Sequence, residues 1–326
     1  MNLSYLLRLL SLSFASFFVL NAVLTLLVRA VYGFALAHCA ARSPRVAARN
    51  LFTLRILPAG LAAVFVLCLC IPSYLWFEPA VTAEQVGPLC AVLGILAATA
   101  CTISVARSVG VLFDSRRFNR ACASQHQETR LPGLPSSLFV LESPSPVLAM
   151  SGLLHPRLVI SRAVLDALSS EELDVVLRHE RSHQASHDNF KRLLFLVAPD
   201  FFPFARTLRN VEIHWSRFIE WAADDDAAAG DSHRGVTLAA ALVRVARLGS
   251  SSALPLLSTS LLACDHDLSA RVDRLLHPAT AQQPRPTHRA WSIAGSVLFG
   301  AALVSTALLS PLALSSVHNL LERFLG

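Results

Sequence analysis

Long runs of apolar residues are the main pattern along this chain. Residues 9–28 contain no charged side chain and are bracketed by Arg8 and Arg29. At about 1.5 Å of rise per residue, such a run crosses a hydrocarbon core of about 30 Å. The same pattern recurs at residues 56–77, 87–106 and 290–312. The sequence therefore predicts four transmembrane helices, three of them early in the chain and one near its C-terminal end.

The composition agrees with a membrane protein. Hydrophobic residues make up 54% of the 326 residues, charged residues make up 15%, and the mean hydropathy is +0.52. These values are too apolar for an ordinary soluble enzyme, and they exclude intrinsic disorder. A secretory signal peptide is the alternative for the first run, but its apolar part exceeds the usual length of about 7–15 residues. The seven cysteines form no CxxC motif, so we expect reduced, structural thiols.

Arginines in the short loops predict the orientation in the membrane. The loop between the first two runs carries Arg29, Arg42, Arg45, Arg49 and Arg55, whereas the next loop has no basic residue. Because cationic flanks stay on the cytoplasmic side, we expect a multi-pass protein of the inner cell membrane with both termini outside. The net charge of +6 follows from this topology, so we expect no direct nucleic-acid partner.

The predicted topology divides the chain into three parts. Residues 1–107 form a three-helix transmembrane region, residues 108–288 a cytosolic domain, and residues 289–326 the fourth helix with a short tail. Proline-rich or glycine-rich linkers are expected at residues 131–137 and 279–288. Within the domain, short β-type stretches at residues 138–141 and 157–160 precede a mostly helical remainder.

One predicted helix of this domain carries a metal-binding pattern. Ser169 and Glu172 have the spacing of a capping box, and the helix that they begin runs into His179, Glu180 and His183. Positions four apart lie on the same face of a helix, so both imidazoles can bind one ion. Glu180 is placed to accept a proton from an attacking water, as in HExxH zinc hydrolases.

A catalytic zinc site needs a third protein ligand, and Glu220 is the candidate. Glu220 lies 37 residues after His183, inside an otherwise apolar helix, with Asp224 one turn further on. Glu220 can complete the coordination, and Asp224 can accept the outer N–H of a ligand histidine. The alternatives are an exposed helix with two incidental histidines and, for the neighbouring Asp225 and Asp226, a solvated charge run.

These two motifs resemble the BlaR/MecR-type family of integral-membrane zinc metallopeptidases. The resemblance rests on residues 179–189 and 220–224, on Gly152, Pro156 and a strand at residues 159–161, and on three spans before the domain and one after it. It implies Zn²⁺ as cofactor, His179, His183 and Glu220 as its ligands, Glu180 as general base, and Asp224 as the residue that orients a ligand. The implied fold is a mainly α membrane protein with a cytosolic α+β zincin domain, gluzincin-like, between helices 3 and 4.

The sequence departs from that family in two places. Arg181 stands between the two histidines, where uncharged residues are usual. About fourteen residues follow the fourth predicted span, so we expect no C-terminal penicillin-binding sensor domain. The sole lysine, Lys191, has Asp188 three positions before it, so the chain has no SxxK motif and we expect no covalent β-lactam binding.

Weaker candidates surround the predicted site. His214, His233 or Arg271 could stabilise the oxyanion, although a surface salt bridge explains Arg271 equally well. An extended substrate could add to the strand near Met150 and Ser151, as peptides do at a free sheet edge. Residues 193–205 are too short and too broken by prolines to span, which predicts a buried or interfacial segment at the bilayer.

The sequence thus predicts a membrane zinc endopeptidase. By resemblance, its substrate is a cytosolic protein in signal transduction, either a transcriptional repressor or the protease itself. The expected partners are the lipid bilayer and a peptide substrate, and a homodimer is left open. Two alternatives stay open as well: a quality-control peptidase similar to the HtpX and CAAX-prenyl proteases, and a non-catalytic membrane receptor or scaffold.

Overall fold

A computed structural model describes most of the chain. The described residues are 3–77, 86–124, 138–143, 145–153, 157–201, 206–249, 258–260, 267–277 and 319. The predicted fourth span at residues 290–312 and the two predicted linkers lie outside the described residues.

Three long apolar helices occupy the N-terminal part. α1 is Leu3–Ala40, and α4 is Pro88–Ser124. Between them α2 (Pro44–Phe65), a π-helical turn (Val66–Cys70) and α3 (Ile71–Phe77) form one continuous rod. Each of the three is long and apolar enough to cross a membrane, which agrees with the first three predicted spans.

The helices extend well beyond the predicted spans. The arginine-rich stretch between the first two spans was expected to be a loop, but only residues 41–43 leave the helical conformation. That loop prediction is wrong, because charged residues mark where a helix leaves the apolar layer and do not by themselves end the helix. Gly94 allows a close approach of α4 to α1, since a Cβ there would lie 2.9 Å from the carbonyl oxygen of Ser11.

A small mixed sheet follows the apolar helices. Its strands are β1 (Leu138–Leu141), β2 (Leu148–Ser151), β3 (Arg157–Ser161) and β4 (Ser258–Ser260), in the order β1-β3-β2-β4. β1 is parallel to β3, and β2 is antiparallel to both of its neighbours. The β-type stretches predicted at residues 138–141 and 157–160 correspond to β1 and β3, and the strand predicted near Met150 and Ser151 corresponds to β2.

Six helices complete the described part of the domain. They are α5 (Arg162–Ala167), α6 (Ser170–Ala185), α7 (Asp188–Val197), α8 (Arg206–Ala228), α9 (Ser232–Arg247) and α10 (Leu268–Leu276). α6 begins with the predicted capping box: Glu172 N–H donates to Ser169 Oγ, and Ser169 N–H donates to the Glu172 carboxylate. The core lies between the sheet, α6 and α9, where Leu148, Ile160 and Leu242 are fully buried.

A second core joins the domain to the membrane helices. Leu51 of α2 packs with Phe195, Trp215 and Phe218 from α7 and α8. Arg55 of α2 donates from Nε to Glu212 of α8 at 2.6 Å. The predicted boundary between residues 107 and 108 falls inside the continuous helix α4, so the three-part division stays a prediction.

The proline-broken segment after α7 contacts α1. Asn21 of α1 donates to the carbonyl oxygen of Pro199, and the ring of Phe201 packs against Phe17 and Phe18. These contacts place Pro199 and Phe201 beside the candidate span α1. That residues 193–205 form a buried or interfacial segment at the bilayer stays a prediction, and residues 202–205 lie outside the described part of the chain.

Candidate active site

The predicted metal ligands converge where α6 crosses α8. His179 Nε2 and His183 Nε2 lie 3.2 Å apart, and Glu220 oxygens lie 3.5 Å and 3.6 Å from these two nitrogens. The three ligand atoms lie within 4.8 Å of one another, and all three side chains are buried. The structure therefore brings together the three residues that the sequence selected, although Glu220 is distant from the histidines along the chain.

Two carboxylates contact the histidines from outside. Asp224 Oδ1 lies 3.0 Å from His179 Nδ1, at the end of the histidine away from Glu220. Asp188 Oδ2 lies 2.9 Å from His183 Nδ1. A carboxylate at Nδ1 fixes the tautomer in which Nε2 carries the lone pair, and it makes that lone pair more basic. Each histidine is thus oriented to present Nε2 to the same point.

Asp188 is the site residue that the sequence analysis missed. It is the first residue of α7 and is 2% exposed. His187, with φ of 53°, separates α6 from α7 in the left-handed region and turns the chain so that Asp188 points back at His183. The sequence does show an acidic residue five positions after the second histidine. This spacing brings Asp188 to His183 only because the helix breaks at His187, and the sequence does not mark that break.

Arg271 of α10 lies inside the site. Its guanidinium contacts Asp224 at 2.6 Å and 2.9 Å and Glu220 at 3.2 Å, and the side chain is 2% exposed. The alternative of a salt bridge on the domain surface is therefore wrong: the salt bridge is buried, because Leu275 of α10 packs into the core with α9 and Arg271 contacts the two carboxylates of α8. Arg271 is committed to the carboxylates that surround the histidines.

The charged groups of this cluster shift one another's pKa values. Burial alone would raise the pKa of Glu220, but the charge of His183, hydrogen bonds from both histidines and Arg271 hold it well below its usual value. Burial alone would lower the pKa of His183. The negative charge of Glu220 and the hydrogen bond between His183 and Asp188 instead raise the pKa of His183 to about 10. A proton therefore compensates the buried Glu220 carboxylate when no metal ion does.

Glu180 has a different environment from Glu220. It is 1% exposed, and neither of its carboxylate oxygens has a hydrogen-bond partner among the described residues. Burial raises the pKa of Glu180 to about 7, an effect that the nearby His179 and His183 partly offset. A carboxylate with a pKa near neutrality and uncommitted oxygens is suited to accept and return a proton.

The donor set fits a divalent transition-metal ion. Two imidazole nitrogens and one carboxylate oxygen are the ligands of catalytic zinc sites that leave one position open. With Nδ1 of each histidine facing a carboxylate, the two Nε2 lone pairs face each other across 3.2 Å, an arrangement that requires a cation or a shared proton. Metal binding would displace that proton.

A recess beside His183 leads toward the sheet. It is lined by Met150 and Gly152 of the β2 end and by His187 and Asn189. Asn189 donates to the carbonyl oxygens of Met150 and Gly152 at 3.2 Å and 3.0 Å, so it fixes the end of β2 next to the metal ligands. Ser151 is fully buried, and its hydroxyl has no hydrogen-bond partner among the described residues.

The predicted free edge of β2 is wrong. β4 pairs with that edge, with Met150 opposite Thr259 and Ser151 opposite Ser258. An unpaired strand edge leaves backbone donors and acceptors without partners, so a segment of the same chain that covers it stabilises the sheet. A peptide could add to β2 only if β4 left.

Two weaker candidates lie elsewhere. His214 lies 3.0 Å from the Tyr32 hydroxyl of α1, and His233 is exposed at the start of α9. The described structure brings neither into contact with the metal-ligand cluster. Arg181 is exposed and His187 is exposed, so neither acts as a further ligand in this arrangement.

These features define a membrane metallopeptidase. The domain packs on apolar helices, its HExxH helix lies beside a distant glutamate, and the carboxylate oxygens of Glu180 have no hydrogen-bond partner among the described residues. The sequence matches the family model described as BlaR1 peptidase M56 over residues 85–275, more than half of the chain. The chain therefore belongs to this peptidase family, as its motifs predicted. Neither the curated proteins nor the solved structures yield a match to it.

Proposed function

We propose that this protein is a zinc-dependent endopeptidase of the inner membrane, with a gluzincin-like domain that faces the cytosol between a third and a fourth span. The observation that carries the proposal is the convergence of His179, His183 and Glu220 beside Glu180. When bound, zinc would supply the Lewis acidity that acidifies a water and polarises the scissile carbonyl.

The residues of the chain would divide the remaining work. Glu180, whose oxygens are uncommitted, takes the proton of the attacking water and returns it to the leaving amine. Asp224 and Asp188 keep the two imidazoles in one tautomer and one orientation. Arg271 balances the charge of Glu220 and Asp224, which would otherwise repel each other inside the domain.

Two kinds of substrate are proposed, a cytosolic regulator such as a transcriptional repressor and the chain itself. β4 favours the second, because it already lies antiparallel to β2 and contacts α6 and α7. Extended peptides bind sheet edges in this way. A peptidase of membrane-protein quality control is the alternative within the same chemistry.

A non-catalytic receptor or scaffold is less consistent with the site. A metal site that is only structural is closed by four protein ligands, whereas the described cluster offers three. Glu180 would then be a buried carboxylate without a partner or a use, which destabilises a fold.

The test compares cells that produce the full chain with cells that produce Glu180→Gln or Glu171→Gln, followed by mass spectrometry of labelled N-termini. Glu171 is an exposed residue of the same helix and serves as the matched control. We expect new N-termini with the wild type and Glu171→Gln that are absent with Glu180→Gln. Identical N-terminal profiles in all three would contradict the proposal, and a new terminus within the chain would identify self-cleavage.

A further inference from the structure

A second cavity lies behind the metal cluster, between the start of α2 and helices α6, α7 and α8. Its volume is about 350 Å³, which is within the range of about 300–1,000 Å³ typical of small-molecule sites. The lining contains none of the three metal ligands, and Glu180 is not part of it. The cavity therefore lies outside the site where peptide hydrolysis is proposed and adjoins it through Asp188, which lines the cavity and contacts His183.

Cations and hydroxyl groups form part of the lining of this cavity. Arg45 and Arg49 come from the first two turns of α2, and Lys191, the sole lysine of the chain, comes from α7. Ser182 of α6 and Ser186, which follows the last residue of α6, add two hydroxyl groups, and the Ser182 hydroxyl already donates to Asp226. This combination of donors is the one that binds phosphate oxygens in proteins.

The ion pairs around the cavity leave one positive charge. Lys191 Nζ lies 2.9 Å from Asp188 Oδ1, and Arg45 pairs with Asp226. Arg49 is exposed and forms no ion pair with any residue in the described part of the chain. A ligand with a single negative charge would neutralise the cavity, whereas a dianion would leave an excess of negative charge beside Asp188.

Apolar side chains also line the cavity, which adjoins a candidate span. Val46, Phe52 and Ile219 form part of its lining. α2 continues into the predicted span at residues 56–77, and Arg49 stands seven residues before that span, which is about 10 Å of helix and corresponds to the headgroup level. Cations beside an apolar surface at this level are suited to an anionic lipid. Soluble phosphate esters share the phosphate chemistry, but they have no acyl part for the apolar side chains.

We propose that this cavity binds the headgroup of an anionic phospholipid with one phosphodiester charge, such as phosphatidylglycerol. Arg49 donates to the phosphate oxygens, the Ser186 hydroxyl contacts the headgroup, and the first acyl carbons lie against Phe52, which is on the side of Arg49 that faces the apolar run of α2. Through this site the domain would bind anionic lipid at the membrane surface directly. Lipid binding at this site does not depend on the proposed peptidase activity.

The test measures binding of dihexanoyl phosphatidylglycerol, dihexanoyl phosphatidylcholine and inorganic phosphate to the zinc-loaded full chain by titration calorimetry. We expect saturable binding of the phosphatidylglycerol, binding of the phosphatidylcholine that is weaker by about tenfold or more, and no competition by inorganic phosphate. Arg49→Gln should weaken phosphatidylglycerol binding by about tenfold, and Arg49→Lys should weaken it less.

The matched control is Arg42→Gln, because Arg42 is an exposed arginine in the turn just before α2 that hydrogen-bonds to His38 and does not line the cavity. Its affinity for the phosphatidylglycerol should equal that of the wild type. Equal binding of both lipids, equal loss with Arg42→Gln, or displacement by inorganic phosphate would overturn the proposal.

Discussion

Each histidine of the candidate metal site contacts a carboxylate that is not one of the candidate metal ligands. Asp188 and Asp224 each contact one Nδ1 and thereby decide which nitrogen faces the centre. Residues of this kind affect metal affinity nearly as much as ligands do, because they set the orientation and basicity of the imidazole.

Asp188→Asn tests this role at the residue that the sequence analysis missed. We expect zinc affinity to fall by about 10–100-fold, since the amide is a weaker acceptor for the His183 N–H. Competition with a chelator of known affinity measures the change. Asp225→Asn is the control, because Asp225 is exposed and pairs with Arg274. Equal zinc affinity in Asp188→Asn and the control would show that Asp188 does not orient the ligand.

Glu180 should make the stability of the metal-free protein depend on pH. Its pKa is raised from 4.5 to about 7 by burial, so the folded state favours the protonated form. This contribution to stability is fully present below the unfolded pKa and is lost as the pH rises through about 7. A shift of this size corresponds to a loss on the order of 3 kcal/mol.

Glu180→Gln removes this titration without changing the shape of the side chain. The stability advantage of Glu180→Gln over the wild type should be near zero at pH 4.5 and should grow to a plateau above pH 8, a range set by the two pKa values. Thermal unfolding of the chelator-treated full chain at a series of pH values measures it. A constant difference across this range would mean that Glu180 is not desolvated.

The sequence predicted the site at residue level where a motif fixed the spacing. His179, Glu180 and His183 follow from helical geometry, and Glu220 follows from a carboxylate placed in an apolar helix. Asp188 and the burial of Arg271 did not follow, because they depend on a helix break at His187 and on the packing of α10, which are set by tertiary contacts.

At the scale of elements, ion pairs connect α10 to the candidate site. Arg271 is buried against Asp224 and Glu220, whereas Arg274, three residues later, forms a partly exposed pair with Asp225. The two arginines lie on the same short helix and differ mainly in burial, so they form a matched pair for mutation.

Arg271→Leu should destabilise the metal-free protein by about 3–5 kcal/mol, because it leaves buried carboxylates without their cation. Arg274→Leu should lower the free energy of unfolding by less, about 1–2 kcal/mol, because its pair with Asp225 is partly exposed and its other contacts are with Trp221. Chemical denaturation of the two variants and the wild type provides the comparison. Similar losses of unfolding free energy in both variants would mean that the buried ion pair of Arg271 stabilises the fold no more than the pair of Arg274.

Elements with a strong local signal were predictable, and those defined by their partners were not. The capping box located the start of α6, and β-type stretches located β1 and β3. β4 is a Ser-Thr-Ser segment without alternation of apolar and polar residues, so only its pairing with β2 defines it. The expectation of a free edge at Met150 and Ser151 failed for that reason.

At the scale of the whole molecule, the membrane helices and the domain share a core. α2 and α8 pack along the cluster that contains Leu51 and Trp215, and Arg55 pairs with Glu212 across the same seam. The sequence suggested a separate domain, because hydropathy shows which residues avoid water but not which apolar surfaces meet.

A double-mutant cycle on Arg55→Gln and Glu212→Gln measures this seam. Arg55 is buried, so we expect a coupling energy of about 1–3 kcal/mol. The exposed pair Arg162 and Glu142 is the control, with an expected coupling below about 0.5 kcal/mol. Equal coupling in the two cycles would argue that the seam contributes no more than a surface contact.

The central claim is that His179, His183 and Glu220 together hold one zinc ion, and metal analysis of the purified full chain tests it most directly. Elemental mass spectrometry after exhaustive dialysis should find about one zinc ion per chain in the wild type and in Glu180→Gln. Glu220→Ala and His183→Ala should each lose most of this zinc. A wild type without zinc, or a Glu220→Ala variant with an undiminished zinc content, would contradict the claim.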